Sequence, residues 1–356
     1  MVKTRVENIK KNLSAGEALI ITSAPNRFYA TGFKSSAGFV FITKDKAELL
    51  IDFRYIEKAK SVVNSCLVTL STNPDKEIAE RCEKYGIKTL YTEATSVSVA
   101  RRAALCALLN GVEVSESTKF DSLLEELRTV KTEGEFSLMK EAQVITDKTF
   151  SYILNNIKAG RTEREVMLDM EFYMRRLGCD GVAFDFVVVS GKNSSLPHGV
   201  PTDKVIEDGD FITMDFGATV GGYRSDMTRT VAVGHVTDEQ RRVYETVLKA
   251  QLAALPAIRA GVICKDIDKI ARDIIYDAGY EGCFGHGLGH SVGIEIHENP
   301  AFNTRCETVL KSGTIMTVEP GIYLENKFGV RIEDMVYVTE NGCVNLTESD
   351  KNLIIL

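Results

Sequence analysis

Two carboxylates in this sequence lie where a solvated surface charge is not expected. Asp215 is in the apolar run 211–216, and Glu319 is in the apolar run 315–320. A carboxylate buried without a partner costs several kcal/mol of folding free energy, so such residues are normally paired or bound to cations. With Asp226 and Glu333, which follow them at short intervals, they form a set of four candidate metal ligands.

The spacing of the first two acids predicts that they face each other. Asp215 and Asp226 flank a glycine-rich turn at residues 219–222, so we expect them on adjacent antiparallel strands. Four carboxylates and one imidazole suit a pair of divalent first-row ions, with carboxylates bridging the two. Such ions, typically about 3.5–4 Å apart, share one water and lower its pKa into the working range of an enzyme.

The histidines point to the same chemistry. The chain has five, and three of them, His286, His290 and His297, lie within twelve positions; His198 is a fourth. Because the glycines between His286 and His290 are poor helix formers, a glycine-rich bend is a better interpretation than a helix. The fifth, His235, precedes a predicted helix and is expected to be an ordinary surface residue.

Helix-start signals mark the elements that must position these residues. Residues 132–135 fit a capping box, in which the Thr132 hydroxyl and the Glu135 carboxylate satisfy free backbone amides. Residues 162–165 and 237–240 open a second and a third helix in the same way. A fourth helix is predicted over 265–278.

These helices recur with a fixed offset. Ala159-Gly160 before the second helix matches Ala260-Gly261 before the fourth, and the residues that end these helices, Gly178 and Gly279, keep the same spacing. The strands that carry the acids also correspond, with a carboxylate opposite a carboxylate in each matched pair. Chance similarity of such units is the alternative. We predict a duplicated helix–helix–strand unit whose pseudo-two-fold packing brings the four acids together at the axis.

The first part of the chain has a different character. Predicted strands at 18–22, 38–43 and 47–52, and a helix at 76–85 that ends at Gly86, indicate an α/β domain. It contains no histidine and no constellation of catalytic residue types. We therefore predict two domains, an α/β domain at 1–125 and a catalytic domain at 126–356. The predicted fold class of the whole chain is α/β plus α+β.

Composition excludes several classes of function. The net charge is −7 and the pI is near 5.5, which argues against a nucleic-acid partner. The apolar runs are too short to cross a membrane, and the N-terminus lacks the features of a signal peptide. The eight cysteines form no C-x-x-C pair and suggest reduced thiols. The expectation is a cytoplasmic protein.

From about residue 130 onward the sequence resembles the pita-bread metallopeptidases, which include methionine aminopeptidases, Xaa-Pro aminopeptidases and Xaa-Pro dipeptidases (prolidases). The N-terminal segments 26–33 and 51–55 resemble the creatinase-type domain of the proline-specific branch. The catalytic motifs appear in family order: Met214-Asp215-Phe216-Gly217, Ser225-Asp226-Met227-Thr228-Arg229-Thr230, His286-Gly287-Leu288-Gly289-His290, Thr317-Val318-Glu319-Pro320-Gly321 and Arg331-Ile332-Glu333-Asp334.

The resemblance implies a dinuclear centre. Asp215, Asp226 and Glu333 would hold one metal, and Asp226 and Glu333 would bridge to a second that His290 and Glu319 complete. Glu319 would also accept the proton of the bridging water. An oxygen-rich site with one histidine fits Mn²⁺, Co²⁺ or Zn²⁺, and Mn²⁺ is our first expectation.

The resemblance also implies roles for residues around the metals. His198 and His297 would bind substrate and stabilise the tetrahedral intermediate. His286 would line the pocket for the residue after the scissile bond. Arg331 would support the cluster and the substrate, and Tyr323 stands where the proline-specific branch often has a tyrosine.

The expected activity is that of an Xaa-Pro aminopeptidase, which acts on peptides with proline second and forms a homodimer. An Xaa-Pro dipeptidase is the alternative, because both enzymes share metals and mechanism and differ in how far the substrate extends past proline. A metal-free creatinase-like enzyme and an inert pita-bread binding protein are disfavoured by the intact ligand positions. A methionine aminopeptidase is disfavoured by the N-terminal domain.

Overall fold

The computed structural model describes residues 2–356, which divide into two compact units, residues up to Arg128 and Thr129–Leu356. Each unit has its own clusters of buried apolar side chains. In the described residues, no helix is both long enough and apolar enough to cross a bilayer.

The N-terminal unit is a six-stranded mixed sheet with six helices. In order, the sheet is β4-β3-β2-β1-β5-β6. The strands are β1 (Glu17–Ile21), β2 (Phe39–Thr43), β3 (Ala47–Ile51), β4 (Leu67–Leu70), β5 (Thr89–Tyr91) and β6 (Glu113–Val114). The helices are α1 (Val2–Lys10), α2 (Ala24–Thr31), α3 (Ile56–Val62), α4 (Pro74–Lys84), α5 (Val99–Leu108) and α6 (Lys119–Thr129).

Strand β1 shows why both faces of this sheet are covered. Successive side chains of a strand point to opposite faces. Leu19 and Ile21 pack in one buried cluster with residues of α1 and α6, whereas Ala18 and Ile20 pack in the other with residues of α4 and α5. The predicted α/β character of this unit is confirmed.

The predicted helix at 76–85 begins two residues earlier than expected, at Pro74. The side chain of Asn73 accepts a hydrogen bond from the Lys76 backbone N–H at 3.2 Å and caps the helix. Proline suits the first turn because its missing N–H would have no intrahelical partner there. The cap therefore moves the start toward the N-terminus.

The C-terminal unit contains two packed helix pairs, α7 (Glu133–Leu154) with α8 (Glu163–Arg176) and α9 (Asp238–Ala254) with α10 (Cys264–Asp277). The first three helices begin at the predicted capping boxes, in which the side chain and backbone contacts are both present. Helix α10 begins at Cys264 without a side-chain cap, one residue before the predicted start.

Each helix pair covers the strands that follow it. Side chains of α7 and α8 share one buried cluster with β8, β9 and β12, and those of α9 and α10 share another with the strands from β15 to β18. The strands are β7 (Gly181–Val182), β8 (Val187–Ser190), β9 (Phe211–Phe216), β10 (Ala218–Val220), β11 (Tyr223–Arg224), β12 (Met227–Ala232), β13 (Gly289–Ser291), β14 (Glu298–Phe302), β15 (Ile315–Val318), β16 (Gly321–Leu324), β17 (Phe328–Arg331), β18 (Asp334–Val338) and β19 (Cys343–Asn345). The duplicated helix–helix–strand architecture is confirmed.

Two sheets bring the site together. One has the order β12-β9-β8 and the other the order β14-β13-β15-β18-β19. They meet where the Glu333 N–H donates to the Thr228 carbonyl at 3.0 Å. Glycine is required nearby, because a Cβ at Gly217 would lie 1.9 Å from the Ser225 carbonyl oxygen and one at Gly289 would lie 2.1 Å from that of Thr317.

Candidate active site

The four acids lie at matching ends of two antiparallel strand pairs. Strands β9 and β12 pair with Asp215 opposite Thr228, and Asp226 immediately precedes β12. Strands β15 and β18 pair in the same sense, with Glu319 directly after β15 and Glu333 directly before β18. The expected antiparallel placement of Asp215 and Asp226 is what the structure has, although the short strands β10 and β11 lie between them.

The side chains of three of these acids converge on one histidine. The Nε2 atom of His290 lies 3.6 Å from Asp226 Oδ2 and 3.4 Å from Glu319 Oε1. One potential ligand atom from each of Asp226, His290 and Glu333 lies within 4.8 Å of the other two. Donor atoms this close around a common space are arranged as they would be around a cation.

The electrostatics of the cluster also call for a cation. Burial, followed by the neighbouring carboxylates, raises the pKa of Asp226 and of Glu333 well above the usual range. Burial raises the pKa of Glu319 to about 8. Asp215 Oδ1 is buried and has no hydrogen-bond donor among residues 2–356. Buried carboxylates crowded together and left with a free acceptor are stabilised when a cation replaces their protons.

His290 has the tautomer that a metal ligand needs. Its Nδ1 atom lies 3.1 Å from the Ser291 carbonyl oxygen, which can only accept, so the ring proton is on Nδ1 and the Nε2 lone pair faces the acids. Burial, together with the nearby His297 ring, lowers the pKa of His290 to about 4, so the imidazole is neutral at neutral pH. The residues present therefore fit divalent first-row ions, which take carboxylate oxygen and imidazole nitrogen.

Arg331 connects the acids to the rest of the site. Its Nη2 atom donates to Asp215 Oδ2 at 2.6 Å, its Nε atom donates to the Thr228 hydroxyl at 3.0 Å, and its Nη1 atom donates to the Tyr323 hydroxyl at 2.8 Å. The guanidinium is buried, and the Tyr323 hydroxyl and the Asp215 carboxylate raise its pKa despite that burial. One oxygen of Asp215 is thus occupied by Arg331, and the other is free.

The chain of hydrogen bonds continues to His286. The His286 Nδ1 atom lies 2.8 Å from the Gly287 carbonyl oxygen and therefore carries the ring proton, while Nε2 lies 3.0 Å from the Tyr323 hydroxyl. Burial lowers the pKa of His286 to about 4 and raises that of Tyr323 to about 12. Both groups are neutral near pH 7, so the Tyr323 hydroxyl accepts from Arg331 and donates to His286.

His198 and His297 line the same cavity, which has a volume of about 740 Å³. The centre of the His297 ring lies 4.5 Å from that of His290, and burial, followed by the nearby His198 ring, lowers the pKa of His297. The cavity walls also include Asp215, the other three acids and His286. His235 is absent from this cavity; its side chain is 63% exposed and contacts Asp208 at 2.9 Å, as a surface histidine does.

Two threonines orient the acids, and the sequence reasoning gave them no role. The Thr228 hydroxyl donates to Glu333 Oε2 at 2.8 Å, and the Thr317 hydroxyl donates to Glu319 Oε1 at 3.2 Å. A signal for them exists in the sequence, because Thr228 is two residues after Asp226 and Thr317 two before Glu319. Residues i and i+2 of a strand share a face.

Comparison with known proteins places the chain in a family. The model for Metallopeptidase family M24 matches residues 137–340, and the model for the Creatinase/Prolidase N-terminal domain matches residues 5–130. The first match covers more than half of the chain. The chain therefore belongs to metallopeptidase family M24 and is a divalent-metal-dependent peptidase, as its donor set also indicates.

Relatives cover nearly all of both units. A Pyrococcus horikoshii protein named Xaa-Pro dipeptidase is 37% identical over 99% of this chain and 98% of its own length. The solved structure of an Xaa-Pro dipeptidase from Bacillus anthracis has 38% identity and a TM-score of 0.95, with 100% of both chains covered. That of an X-Pro aminopeptidase from Thermotoga maritima has 35% identity and a TM-score of 0.89, with 98% of this chain and 100% of the other covered. The expected resemblance and fold class are confirmed.

Proposed function

We propose that this chain is an Xaa-Pro aminopeptidase, which hydrolyses the bond between an N-terminal residue and proline. The observation that carries the proposal is the convergence of buried carboxylates on the Nε2 lone pair of His290. The names of the relatives support specificity for proline in the second position. We also expect the protein to be cytoplasmic and to form a homodimer. Analytical ultracentrifugation tests the oligomeric state.

In this proposal five residues hold two ions. Asp215, Asp226, His290, Glu319 and Glu333 would hold the two ions, with Asp226 and Glu333 shared between them. When bound, the ions polarise the scissile carbonyl and lower the pKa of a shared water. Mn²⁺ is the first choice for so oxygen-rich a site, and Co²⁺ or Zn²⁺ are alternatives.

Charge balance supports two ions over one. The four ionised carboxylates carry four negative charges, and Arg331, which donates to Asp215 at 2.6 Å, contributes one positive charge. One divalent ion would leave the cluster with one excess negative charge, which opposes the developing negative charge on a substrate oxygen. With a second ion the cluster would carry one net positive charge, which stabilises the developing negative charge on the substrate oxygen.

The chain's own residues supply the proton transfers and the hydrogen bonds. Glu319, held by the Thr317 hydroxyl at 3.2 Å, accepts a proton from the attacking water and passes it to the leaving proline nitrogen. His297 and His198, which line the cavity, donate ring N–H groups to the substrate carbonyl oxygen as it becomes negative.

The network around His286 suits a proline ring. An Xaa-Pro bond is a tertiary amide and has no N–H to recognise. Both ring nitrogens of His286 are already engaged, by the Gly287 carbonyl and by the Tyr323 hydroxyl, so the imidazole offers the cavity an aromatic face rather than a hydrogen bond. That ring also packs against Phe284 in an edge-to-face arrangement, at 5.0 Å between ring centres.

Dipeptidase activity is the second candidate, because two of the three relatives above carry that name. The cavity has room for the longer substrate of an aminopeptidase. At about 740 Å³ it lies within the range of about 300–1,000 Å³ that holds drug-sized ligands, which are larger than a dipeptide.

The test is release of the N-terminal residue from Gly-Pro, Ala-Pro and Ala-Pro-Ala-Ala by the Mn²⁺-loaded protein, with Ala-Ala-Ala-Ala as the control without proline. We expect cleavage of the proline tetrapeptide and not of the control. Cleavage of the dipeptides alone would establish the dipeptidase instead. Failure to cleave any of the proline peptides would refute the proposed function.

A further inference from the structure

His198 has no side-chain partner that could set its position. It lies in the segment 191–201, which connects β8 to the residues before β9, and its side chain is exposed to the cavity. Among residues 2–356, its ring makes no hydrogen bond or ion pair of its own. The place of the imidazole in the cavity is therefore determined by the backbone that carries it.

That backbone is fastened by a carboxylate from another element. Glu163, the first residue of α8, is fully buried. Its Oε1 atom accepts from the Ser190 N–H at 2.7 Å, the Ser190 hydroxyl at 3.0 Å and the Asn193 Nδ2 at 3.1 Å. Its Oε2 atom accepts from the Thr202 N–H at 3.0 Å, the Thr202 hydroxyl at 2.7 Å and the same Asn193 Nδ2 at 3.3 Å.

Asn193 lies inside the segment, and the other donors stand at its two ends. Ser190 immediately precedes it and Thr202 immediately follows it, so the two oxygens of one carboxylate close the segment into a loop. A buried carboxylate needs donors wherever it lies, and this need alone could explain some of these bonds. It does not require donors from both ends of the segment that carries an otherwise unfastened histidine.

We propose that Glu163 is a positioning residue that fixes His198 in the cavity by clamping both ends of the segment 191–201. The clamp itself stands on the hydrogen bonds of Glu163, and its catalytic consequence rests on the proposed function. Other contacts also hold the segment. In its middle, Arg331 Nη1 donates to the Pro197 carbonyl at 3.2 Å and the Gly329 N–H donates to the Ser194 hydroxyl at 2.9 Å. At its ends, Ser190 pairs with Ile212 in the β8–β9 ladder, the Arg164 N–H donates to the Thr202 carbonyl at 3.1 Å, and Lys204 Nζ donates to the Ser190 hydroxyl at 3.0 Å. The Glu163 carboxylate adds to these by accepting from the backbone N–H groups of both Ser190 and Thr202.

The test begins with Glu163→Gln, which keeps the shape but turns one acceptor oxygen into an NH₂ donor. That donor would face either the Thr202 or the Ser190 N–H, which then has no acceptor. Glu165→Gln is the matched control, because Glu165 is in the same helical turn and only accepts from the Thr162 N–H at 2.9 Å in a capping box that glutamine also serves. Thr202→Val, which removes a single hydroxyl, is the milder variant should Glu163→Gln fail to fold.

The first readout is hydrogen exchange of the metal-loaded protein over residues 190–202. We expect exchange there to be about tenfold faster in Glu163→Gln, since a buried N–H has lost its acceptor, and unchanged in Glu165→Gln. Metal content should stay at the wild-type level in both. Unchanged exchange in Glu163→Gln and Thr202→Val would overturn the clamp.

The second readout is a double-mutant cycle with His198→Ala on whichever peptide the wild type cleaves. Displacing a catalytic group by about 1 Å can cost about 10²-fold in rate, so we expect Glu163→Gln alone to lower kcat about 10- to 10²-fold. In the His198→Ala background the same change should lower kcat by no more than about twofold. A full loss in that background would show that Glu163 does not act through His198. A wild type that cleaves no Xaa-Pro peptide refutes the proposed function, while the exchange experiment still decides the clamp.

Discussion

Metal uptake by this protein should release protons, and the number can be reasoned from the acids of the cluster. In the metal-free protein, burial raises the pKa of Glu319 to about 8, so this carboxyl binds about nine-tenths of a proton at pH 7. The pKa values of Asp226 and Glu333 are also raised, by burial and by neighbouring carboxylates, and these groups add to the total. Metal ligands must be deprotonated. Loading at pH 7 is therefore expected to release between about one and three protons.

The same shift gives the sign of the stability change with pH. Between the ordinary value of 4.5 for Glu319 and its folded value of about 8, the metal-free folded state binds more protons than the unfolded state. Stability rises with pH only where the unfolded state binds more protons, so here the free energy of unfolding falls as pH rises. Bound metal displaces these protons, so the metal-loaded protein should lack this fall in the free energy of unfolding with rising pH.

Isothermal titration calorimetry of Mn²⁺ into metal-free protein, at pH 7 in two buffers with different ionisation enthalpies, measures the released protons. Glu319→Gln is the matched comparison, and its release should be smaller, because it lacks this carboxyl and because Glu319 is one of the charges that raise the pKa values of Asp226 and Glu333. A binding heat that is the same in both buffers would mean that no protons leave, and the description of the cluster as carboxyls held protonated until metal arrives would then be wrong.

Four substitutions test the other parts of the site. Glu319→Ala should abolish turnover, because it removes both a ligand and the proton acceptor; near-normal kcat would contradict the metal assignment. His198→Ala and His297→Ala should keep their metal and lose about 10²-fold or more in kcat, the scale of a proton-transfer or oxyanion group. Metal analysis checks this, since loss of metal from either variant would mean that the histidine is a ligand. Tyr323→Phe leaves the buried Nε2 of His286 without its donor, at a cost of about 1–3 kcal/mol, so kcat/KM should fall about fivefold or more with metal content unchanged. An unaltered kcat/KM would show that Tyr323 has no role in substrate binding or catalysis.

Local rules were sufficient to predict most elements of the catalytic unit. Thr132, Thr162 and Thr237 each precede a helix whose capping contacts are present, because a hydroxyl and a carboxylate or amide three residues later satisfy amides within one turn. Helix starts without a complete capping box were less accurate: α4, which Asn73 caps, begins two residues before its predicted start, and α10, where Ile263 provides no side-chain cap, begins one residue before. Sequence predicts helix starts best where both members of a capping box are present.

The convergence of the acids was predictable for a different reason. Asp215 and Glu319 each stand in an apolar strand, and the repeat implied that the two strands come together. The side chains that orient the cluster could not be found in this way. Arg331 donates to Asp215, 116 positions away along the chain, and the Thr228 hydroxyl donates to Glu333, 105 positions away. No periodicity or capping rule in one sequence relates residues so distant.

The supports of the histidines show where the repeat stops being informative. In the first half, Glu163 of α8 holds the ends of the segment that carries His198. In the second half, Asp268 of α10 accepts from the Leu288 N–H at 3.0 Å and pairs with Arg272, whose Nη2 atom donates to the His286 carbonyl at 2.7 Å.

Corresponding helices thus each use a buried acid to fasten a segment that carries histidine. The acids do not occupy equivalent positions, however, because Glu163 opens its helix whereas Asp268 lies a full turn inside α10. A carboxylate can reach backbone amides from several points on a helix end, so the two halves can hold a loop in the same way with acids at different positions. An alignment of the two halves compares residues at fixed offsets and therefore cannot pair Glu163 with Asp268; the hydrogen bonds of the folded chain identify both.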